Sequence, residues 1–378
     1  MCWSALSEAV PLYPLYALLF ADSGLSAAQI SGLFVLWSVV GVVAEVPCGA
    51  WADRHSRRAA IVAAGVLQGA GHLLWIAWSA LGGFALGFVL WGVGGALSSG
   101  SIEALVHDGL AAAGAAHRYA AVMGRAEAAG LAVQVPLALA AGTLFEVGGY
   151  PLLGIASVAV CLSSAALASR LPEAPRCAGD GDEPGVVEAL RAGVGEALGS
   201  APVRAAVVAV AVFSGFDAVE EYFPLLAACW GVPTGAVPAA LLAVPLAGAI
   251  GAVLAPRALG LGGRGLTAAM LAGTAALAGS FVLERPAGLA GVAAFYGVHR
   301  LTMVVADARL QARIAGGSRA TVTSVASLGS ELVAVALFGA WAAGGLALVI
   351  VLAAVAALAL GPRLSPSSRS GASRGRGR

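Results

Sequence analysis

Long apolar stretches separated by short polar breaks run along the whole chain. A helix needs roughly 20 apolar residues to cross the hydrocarbon core of a bilayer, and its backbone groups must bond within the same segment. The pattern therefore predicts an all-α polytopic membrane protein with twelve transmembrane helices. These predicted spans, numbered 1 to 12 in chain order, cover residues 4–21, 28–52, 59–79, 82–106, 120–143, 149–169, 203–228, 235–256, 265–283, 287–308, 320–342 and 344–361.

The composition agrees with a membrane protein and narrows the class. The 378 residues are 60% hydrophobic and only 11% charged, whereas a soluble domain carries about 25% charged residues. All basic residues are arginine, so the lysine of a GxxxxGK[ST] phosphate loop is missing and a self-contained ATP-driven pump is disfavoured. The cysteines have no CxxC spacing, which argues against a zinc site or a disulfide framework.

The arginines orient the chain in the membrane. With twelve spans, nearly all loop arginines fall on the side of the two termini, and the opposite side holds only Arg285. Because arginine is enriched in cytoplasmic loops, we expect both termini in the cytoplasm and the protein in the cell (plasma or inner) membrane. Span 1 begins almost at Met1 without a basic leader and contains Pro11 and Pro14, so we expect a retained, interrupted helix rather than a signal peptide.

A polar stretch divides the chain into two halves of six spans each. We expect an N-terminal half at 1–170, a cytoplasmic linker at 171–202, a C-terminal half at 203–362 and a disordered basic tail at 363–378. The linker is either a surface helix or a flexible tether. Short segments recur in the two halves in the same order at an offset of about 200 residues, which favours an internal duplication. Duplicated six-helix halves that enclose a midplane substrate site are typical of one large group of secondary transporters.

The turn between spans 2 and 3 carries a specific motif. Its sequence, GAWADRHSRR from Gly49 to Arg58, resembles the signature G-x-L-A-D-R-x-G-R-R of the major facilitator superfamily, which occupies the cytoplasmic turn between helices 2 and 3. A second stretch, SGSIEALVHDGL at 99–110, is similar to a run in some uncharacterised members. Two residues depart from the signature: Trp51 replaces leucine and Ser56 replaces glycine, and a serine would bend the turn differently if the turn needs a positive φ.

The resemblance implies a twelve-helix fold with two pseudo-symmetric six-helix bundles, and a cytoplasmic gate that closes when the transporter faces outward. In this interpretation Gly49 allows close helix approach, and Asp53 pairs with an arginine such as Arg118 or Arg125. The alternative is that the arginines only fix the topology, although topology alone needs neither Gly49 nor Asp53. The candidate gate residues are Gly49, Asp53, Arg54, Arg57, Arg58, Asp108 and Arg118.

Ionisable residues within the spans are candidate site residues, because charge is costly at membrane depth. The three acids of span 7 are spaced i, i+3 and i+4, on one face of an α-helix, and we expect at least one to bind a proton because they cannot all stay ionised cheaply. By resemblance, helices 1, 4, 7 and 10 line the central cavity, and Glu8 of span 1 joins this group. The alternative is that the span 10 arginine merely neutralises one acid. The candidate substrate or proton residues are Glu103, Asp217, Glu220, Glu221, His299, Arg300 and Glu331.

These observations predict a secondary active transporter that moves a small solute by alternating access and couples it to protons. An acidic cavity favours export of cationic or amphipathic compounds. Two alternatives stay open: uptake of a small nutrient, with Arg300 anchoring a carboxylate, and a sensor of the same fold without flux. No hydrolase or metal-binding motif is present, so we expect no enzyme activity, no cofactor and no metal. The expected partners are a small-molecule substrate, protons and the lipid bilayer, with no nucleic acid, and we expect a monomer.

Overall fold

The computed structural model describes residues 1–173, 201–314 and 319–364. Most of the predicted linker and of the predicted tail lies outside these ranges. All regular elements within them are helices. The α-helices are α1 Cys2–Glu8, α2 Tyr16–Asp22, α3 Ala27–Arg54, α4 Arg57–Ala77, α5 Leu81–Ser98, α6 Ser101–Ala112, α7 Tyr119–Ala168, α8 Ala201–Gly215, α9 Phe223–Cys229, α10 Val237–Leu241, α11 Ala243–Ala258, α12 Gly263–Leu283, α13 Leu289–Gln311 and α14 Arg319–Leu360.

Short 3₁₀ segments complete or connect several of these helices. The segment at Phe216–Tyr222 joins α8 to α9 within span 7. The others are Ala116–Arg118, Thr234–Ala236, Pro286–Gly288 and Gly361–Leu364.

The two longest helices each contain a glycine at which the chain reverses direction. Gly149 in α7 has φ 59° and Gly345 in α14 has φ 57°, a backbone conformation that is costly for other residues. Each helix therefore supplies two spans, 5 and 6 in α7 and 11 and 12 in α14.

The described helices account for twelve spans. Eight helical stretches of the described residues are long and apolar enough to cross a membrane, and the two glycine reversals divide two of them. The remaining spans, 1 and 7, are interrupted halfway, by residues 9–15 between α1 and α2 and by the 3₁₀ segment between α8 and α9. The predicted all-α twelve-helix architecture is confirmed.

The interruptions occur at corresponding places in the two parts of the chain. Span 1 and span 7 each lose α-helical structure near their centre, and spans 5/6 and 11/12 each turn at a glycine of positive φ. Repeated irregularities of this kind are difficult to obtain from unrelated segments, so they support the proposed duplication. The exact boundaries of the two halves stay a prediction.

Helix packing places a seam between the first and the second group of spans. Within the first group α4 packs on α5 and α7, and within the second group α13 packs on α11 and α12. Across the seam α3 packs against α14, and α7 packs against the stretch that contains α10. The seam therefore lies between spans 1–6 and spans 7–12.

The seam is tightly packed on one side of the bundle. We call the side that holds the turn at 54–57 the motif side, and the side that holds the two glycine reversals the opposite side. Near the opposite side, the Ser31 and Tyr222 hydroxyls lie 2.7 Å apart, and the rings of Phe34 and Phe338 are 5.4 Å apart. A Cβ atom on Gly142 would collide with the carbonyl oxygen of Gly235, so glycine is required for this helix contact.

Candidate substrate cavity

The three acids of span 7 lie in the 3₁₀ segment, not in an α-helix. A 3₁₀ helix has about three residues per turn, so Asp217 and Glu220 lie one above the other while Glu221 points a third of a turn away. The expectation that all three share one α-helical face is wrong. A local feature favours this break: Pro224, in the first turn of α9, lacks the N–H group that would donate to the carbonyl of Glu220 if the α-helix continued.

Each acid consequently has a partner on another span. The Tyr296 hydroxyl donates to Glu220 Oε2 at 2.7 Å. The Tyr16 hydroxyl donates to Glu221. Arg300 donates from Nη1 to Asp217 Oδ2 at 3.1 Å. Spans 1 and 10 thus hold the acids of span 7, which brings together three of the four spans that the resemblance assigned to the cavity.

Asp217 is the acid that the arginine neutralises. Its second oxygen, Oδ1, lies 3.4 Å from Nε2 of His299. Both atoms are buried, and neither makes a hydrogen bond within the described chain. The predicted group of Asp217, His299 and Arg300 is therefore assembled as one ion-pair cluster. Because Arg300 is engaged there, Glu220 and Glu221 have no basic partner in the described residues.

A cavity of about 350 Å³ opens beside the two remaining acids. Its walls come from spans 1, 2, 4 and 5 on one side of the seam and from spans 7 and 8 on the other. We call it the central cavity. No arginine, lysine or histidine contributes to its lining within the described chain. Its polar and aromatic lining residues are Glu8, Tyr13, Tyr16, Trp37, Trp91, Gln134, Glu220, Glu221 and Phe223.

A larger cavity of about 900 Å³ continues from the central one toward the motif side. We call it the entrance cavity. The two share Glu8, Tyr13 and Gln134, and the entrance cavity extends to Leu171 at the end of span 6. Its described lining again contains acids, including Glu103, and no basic side chain. Glu103 therefore lies in the approach to the site and not beside the span 7 acids.

Glu331 occupies a third location. Its carboxylate accepts a hydrogen bond from the Ser38 hydroxyl, where α14 packs on α3 across the seam. It lines neither of the two cavities. This contact between span 2 and span 11 favours a bridging role over substrate contact.

The gate motif forms an ion-pair network, although with different partners from those expected. Arg57 donates from Nε to Asp53 at 3.0 Å and from Nη1 to Asp108 at the end of α6. Among the described residues, neither Arg118 nor Arg125 pairs with Asp53, whose side chain is 65% exposed. The network joins spans 2, 3 and 4 on the motif side.

Two expectations about the motif backbone are wrong in this conformation. Ser56 has φ −164°, which is extended, and its hydroxyl accepts from the N–H of Ala59 as the N-cap of α4, so no positive φ is needed and serine stabilises the turn. Gly49 does not mediate a close helix approach, because a Cβ atom there would meet nothing within 4 Å. Arg54 is exposed at the end of α3.

Glu173 is a motif partner that the sequence did not indicate. Its carboxylate accepts from the Ser56 hydroxyl at 2.6 Å and from the Arg57 N–H at 2.8 Å, and it lies 3.9 Å from Arg58. Although burial acts to raise it, the pKa of Glu173 lies below its ordinary value because these donors stabilise the charged form. Its separation from the motif by more than a hundred positions left no local signal.

Three further cavity-lining residues were not predicted from the sequence: Trp37, Trp91 and Gln134. A signal existed for the tryptophans, since both lie well inside predicted spans while tryptophan in membrane helices favours the interfaces with water. A tryptophan near mid-span is therefore a candidate for a cavity wall. Gln134 carried a weaker signal, as an uncharged polar residue near the middle of span 5.

A twelve-helix bundle whose central seam holds a cavity lined by ionisable side chains is the architecture of an α-helical membrane transporter. The sequence matches the Major Facilitator Superfamily over residues 2–338, which is nearly the whole chain. The protein therefore belongs to the Major Facilitator Superfamily and is a multi-pass membrane transporter. A comparison with curated protein sequences found no significant match.

Solved structures of transporters share its fold. A mutant of the nucleoside transporter NupG superposes with a TM-score of 0.76 at 12% identity, covering 96% of this chain and 97% of that chain. A D-xylose–proton symporter gives 0.70 at 15% identity, with 95% and 96% covered. An inward-facing bacterial homologue of the iron transporter ferroportin gives 0.68 at 15% identity, with 96% and 93% covered. At these identities the likeness concerns the fold and not the substrate.

Proposed function

We propose that this transporter exchanges protons for a small cationic or amphipathic solute and exports that solute across the cell membrane. The observation that carries the proposal is the pair of carboxylates, Glu220 and Glu221, facing a central cavity whose described lining has no basic residue. The engaged arginine weighs against the alternative of anion uptake, because Arg300 already pairs with Asp217 and is not free to anchor a carboxylate.

Exchange follows from the cost of an unneutralised carboxylate in a low-dielectric cavity. A buried acid must be neutralised by a proton or a cation. A proton and a cationic solute therefore compete for the same carboxylates, and arrival of one favours departure of the other. An empty, doubly ionised cavity is the costly state, which disfavours a return movement without cargo.

The shape of the cavities supports export when combined with the predicted topology. If both termini are cytoplasmic, the motif side faces the cytoplasm and the entrance cavity opens toward it. Its acids, which include Glu103, would raise the local concentration of cations at the cytoplasmic mouth. The motif network around Arg57 would then be the part of the cytoplasmic gate seen in an inward-facing state.

Purified protein in liposomes tests this proposal. An imposed pH gradient, acidic inside, should collapse faster when a transported cationic solute is added, and protein-free liposomes should show no such response. Collapse driven only by anionic or neutral solutes would overturn cation export in favour of uptake of another solute class. Saturable binding without any solute-dependent proton flux would instead identify a sensor.

A further inference from the structure

Two acids of the 3₁₀ segment in span 7 bond within their own group of spans. Asp217 accepts from Arg300, and Glu220 accepts from Tyr296, and both partners belong to span 10. The segment itself packs on α14, which supplies spans 11 and 12. All of these spans lie in the second group. A movement of the two groups against each other therefore leaves these contacts intact.

Glu221 bonds across the seam instead. It accepts a hydrogen bond from the Tyr16 hydroxyl of span 1, which we call the cross-seam bond. The next residue, Tyr222, also reaches the first group, and its hydroxyl oxygen lies 2.7 Å from that of Ser31 in span 2. Both contacts must therefore break when the two groups move apart at the opposite side.

The position of Tyr16 is fixed by the first group of spans. Tyr16 is only 5% exposed, and its ring packs against five other aromatic rings at centroid distances between 5.5 and 6.1 Å. These rings come from spans 1 to 4 and belong to Phe20, Phe34, Trp75, Phe88 and Trp91. A ring enclosed in this way cannot follow Glu221 when the second group moves away. The cross-seam bond therefore depends on the relative position of the two groups.

The strength of the cross-seam bond depends on the charge of Glu221. A hydrogen bond to an ionised acceptor is roughly twice as strong as one between neutral groups. No basic side chain pairs with Glu221 in the described residues, so a proton or a cationic solute is what neutralises it. The charged and titratable groups near it are Asp217 and Glu220 of span 7, Glu8, Tyr13 and Tyr16 of span 1, and Tyr296, His299 and Arg300 of span 10.

We propose that Tyr16 is a positioning residue that holds the empty transporter open toward the motif side through its hydrogen bond to ionised Glu221. The inference rests on the proposed function and specifies how exchange is enforced. While Glu221 is ionised, the cross-seam bond keeps the two groups together at the opposite side. A proton or a cationic solute that neutralises Glu221 weakens this bond, so the loaded transporter opens there more readily than the empty one. Glu220 has no such effect, because its tyrosine partner lies in the same group.

The distance between the two groups at the opposite side tests this inference. Spin labels are attached at Val147→Cys and Val282→Cys, both 82% exposed in the native chain, in full-length protein whose native cysteines are replaced by serine. Pulsed electron paramagnetic resonance in nanodiscs, without solute, then gives the distance. With Tyr16 and Glu221 present, lowering the pH should raise the long-distance population by roughly fivefold, because protonation weakens the cross-seam bond. Tyr16→Phe and Glu221→Gln should each raise that population at high pH and remove most of its pH response.

Two further tyrosine variants are matched controls. Tyr296→Phe removes the corresponding bond to Glu220 within the second group, so the pH response should stay. Tyr222→Phe removes a contact across the seam between two neutral hydroxyls, so the long-distance population should rise by a similar factor at every pH. Each variant keeps its aromatic ring, and melting temperatures show whether any of them unfolds.

An undiminished pH response in Tyr16→Phe or in Glu221→Gln would overturn the proposal. A distance that does not respond to pH in the parent protein would overturn it too, as would an equal loss of the response in Tyr296→Phe. The measurement needs no solute, so it is independent of the liposome experiment. A pH response carried by Tyr16, without solute-driven proton flux, would refute the proposed function alone. Solute-driven flux with an unchanged response in Tyr16→Phe would refute the role of Tyr16 alone.

Discussion

Each acid of span 7 has a different partner, and the partner determines what that acid can do. Asp217 is paired with Arg300 and lies beside His299, so it serves as part of a fixed ion-pair cluster. Within the described residues, Glu220 and Glu221 each accept from a tyrosine hydroxyl, which orients a carboxylate without neutralising it. We therefore expect a structural role for Asp217 and a functional role for Glu220 and Glu221, although the three acids lie within five positions.

The Asp217–Arg300 pair predicts a specific pattern of stability. Asp217→Asn alone should lower the melting temperature, because it leaves the arginine without its counter-charge in a low-dielectric environment. The double variant Asp217→Asn with Arg300→Gln should recover part of that loss, since neither charge remains. Thermal unfolding in detergent measures both. If the two substitutions simply add, the pair does not interact energetically and its assignment as a structural cluster is wrong.

The sequence showed which ionisable residues lie within the spans, but it did not show which side chains they contact. The cost of charge in a membrane identified Asp217, Glu220 and Glu221 from sequence alone. The pairing of Glu221 with Tyr16 depends on the approach of span 1 to span 7, more than two hundred positions apart, and no local pattern carries that information. The cavity-lining residues Trp37 and Trp91 were also missed, although their positions near the middle of predicted spans gave a usable signal.

At the scale of helices, local sequence explains where the elements begin and break. The predicted span at 59–79 corresponds to α4 at Arg57–Ala77, and the one at 265–283 to α12 at Gly263–Leu283. The break in span 1 agrees with its two prolines. The 3₁₀ segment of span 7 was not predicted, although Pro224, two residues after it, is a local signal for a break in the α-helix.

The start of α4 shows how a distant residue completes a helix terminus. Ser56 caps the helix, and Glu173 from the end of span 6 accepts from the Ser56 hydroxyl and the Arg57 N–H. A carboxylate at a helix N-terminus is stabilising, because unpaired N–H groups and the helix dipole both favour negative charge there. The segment that leads into the predicted linker is thereby fixed to the motif.

Glu173→Gln should lower the melting temperature near neutral pH, because the charged carboxylate stabilises this helix terminus. The pKa of Glu173 is depressed in the folded protein, so its contribution is present above the unfolded pKa of about 4.5 and is lost as the pH falls through the lower folded value. The difference between wild type and variant should therefore shrink as the pH is lowered below about 4.5. A pH-independent difference would mean that the charge of Glu173 has no part in the effect.

At the scale of the whole molecule, the seam between the two groups of spans is packed near the opposite side and open near the motif side. Contacts such as Ser31–Tyr222 close the opposite side. On the motif side, the ion pair that Asp53 makes within the described residues is with Arg57 of the same half. The twelve-helix fold was predicted correctly from the sequence, whereas the orientation in the membrane and the boundaries of the two halves stay predictions. Which side is open could not be predicted, because a transporter sequence encodes both states.

The motif network predicts a kinetic defect. Asp53→Asn removes the negative charge that pairs with Arg57 and so weakens the network that joins spans 2, 3 and 4. Because the substitution is remote from the central cavity, turnover should fall much more than affinity does. Initial rates over a range of solute concentrations in liposomes separate the two. Wild-type turnover would reduce the motif to a topology anchor.

The central claim, that Glu220 and Glu221 carry the exchanged proton, is tested most directly by solute-driven proton flux in liposomes that contain matched amounts of wild type, Glu220→Gln, Glu221→Gln or the control Glu284→Gln. We expect wild type and the control to release the pH gradient on addition of a transported solute. At least one of the two cavity variants should bind that solute and leave the gradient intact. Undiminished solute-driven proton flux in both cavity variants would contradict the account.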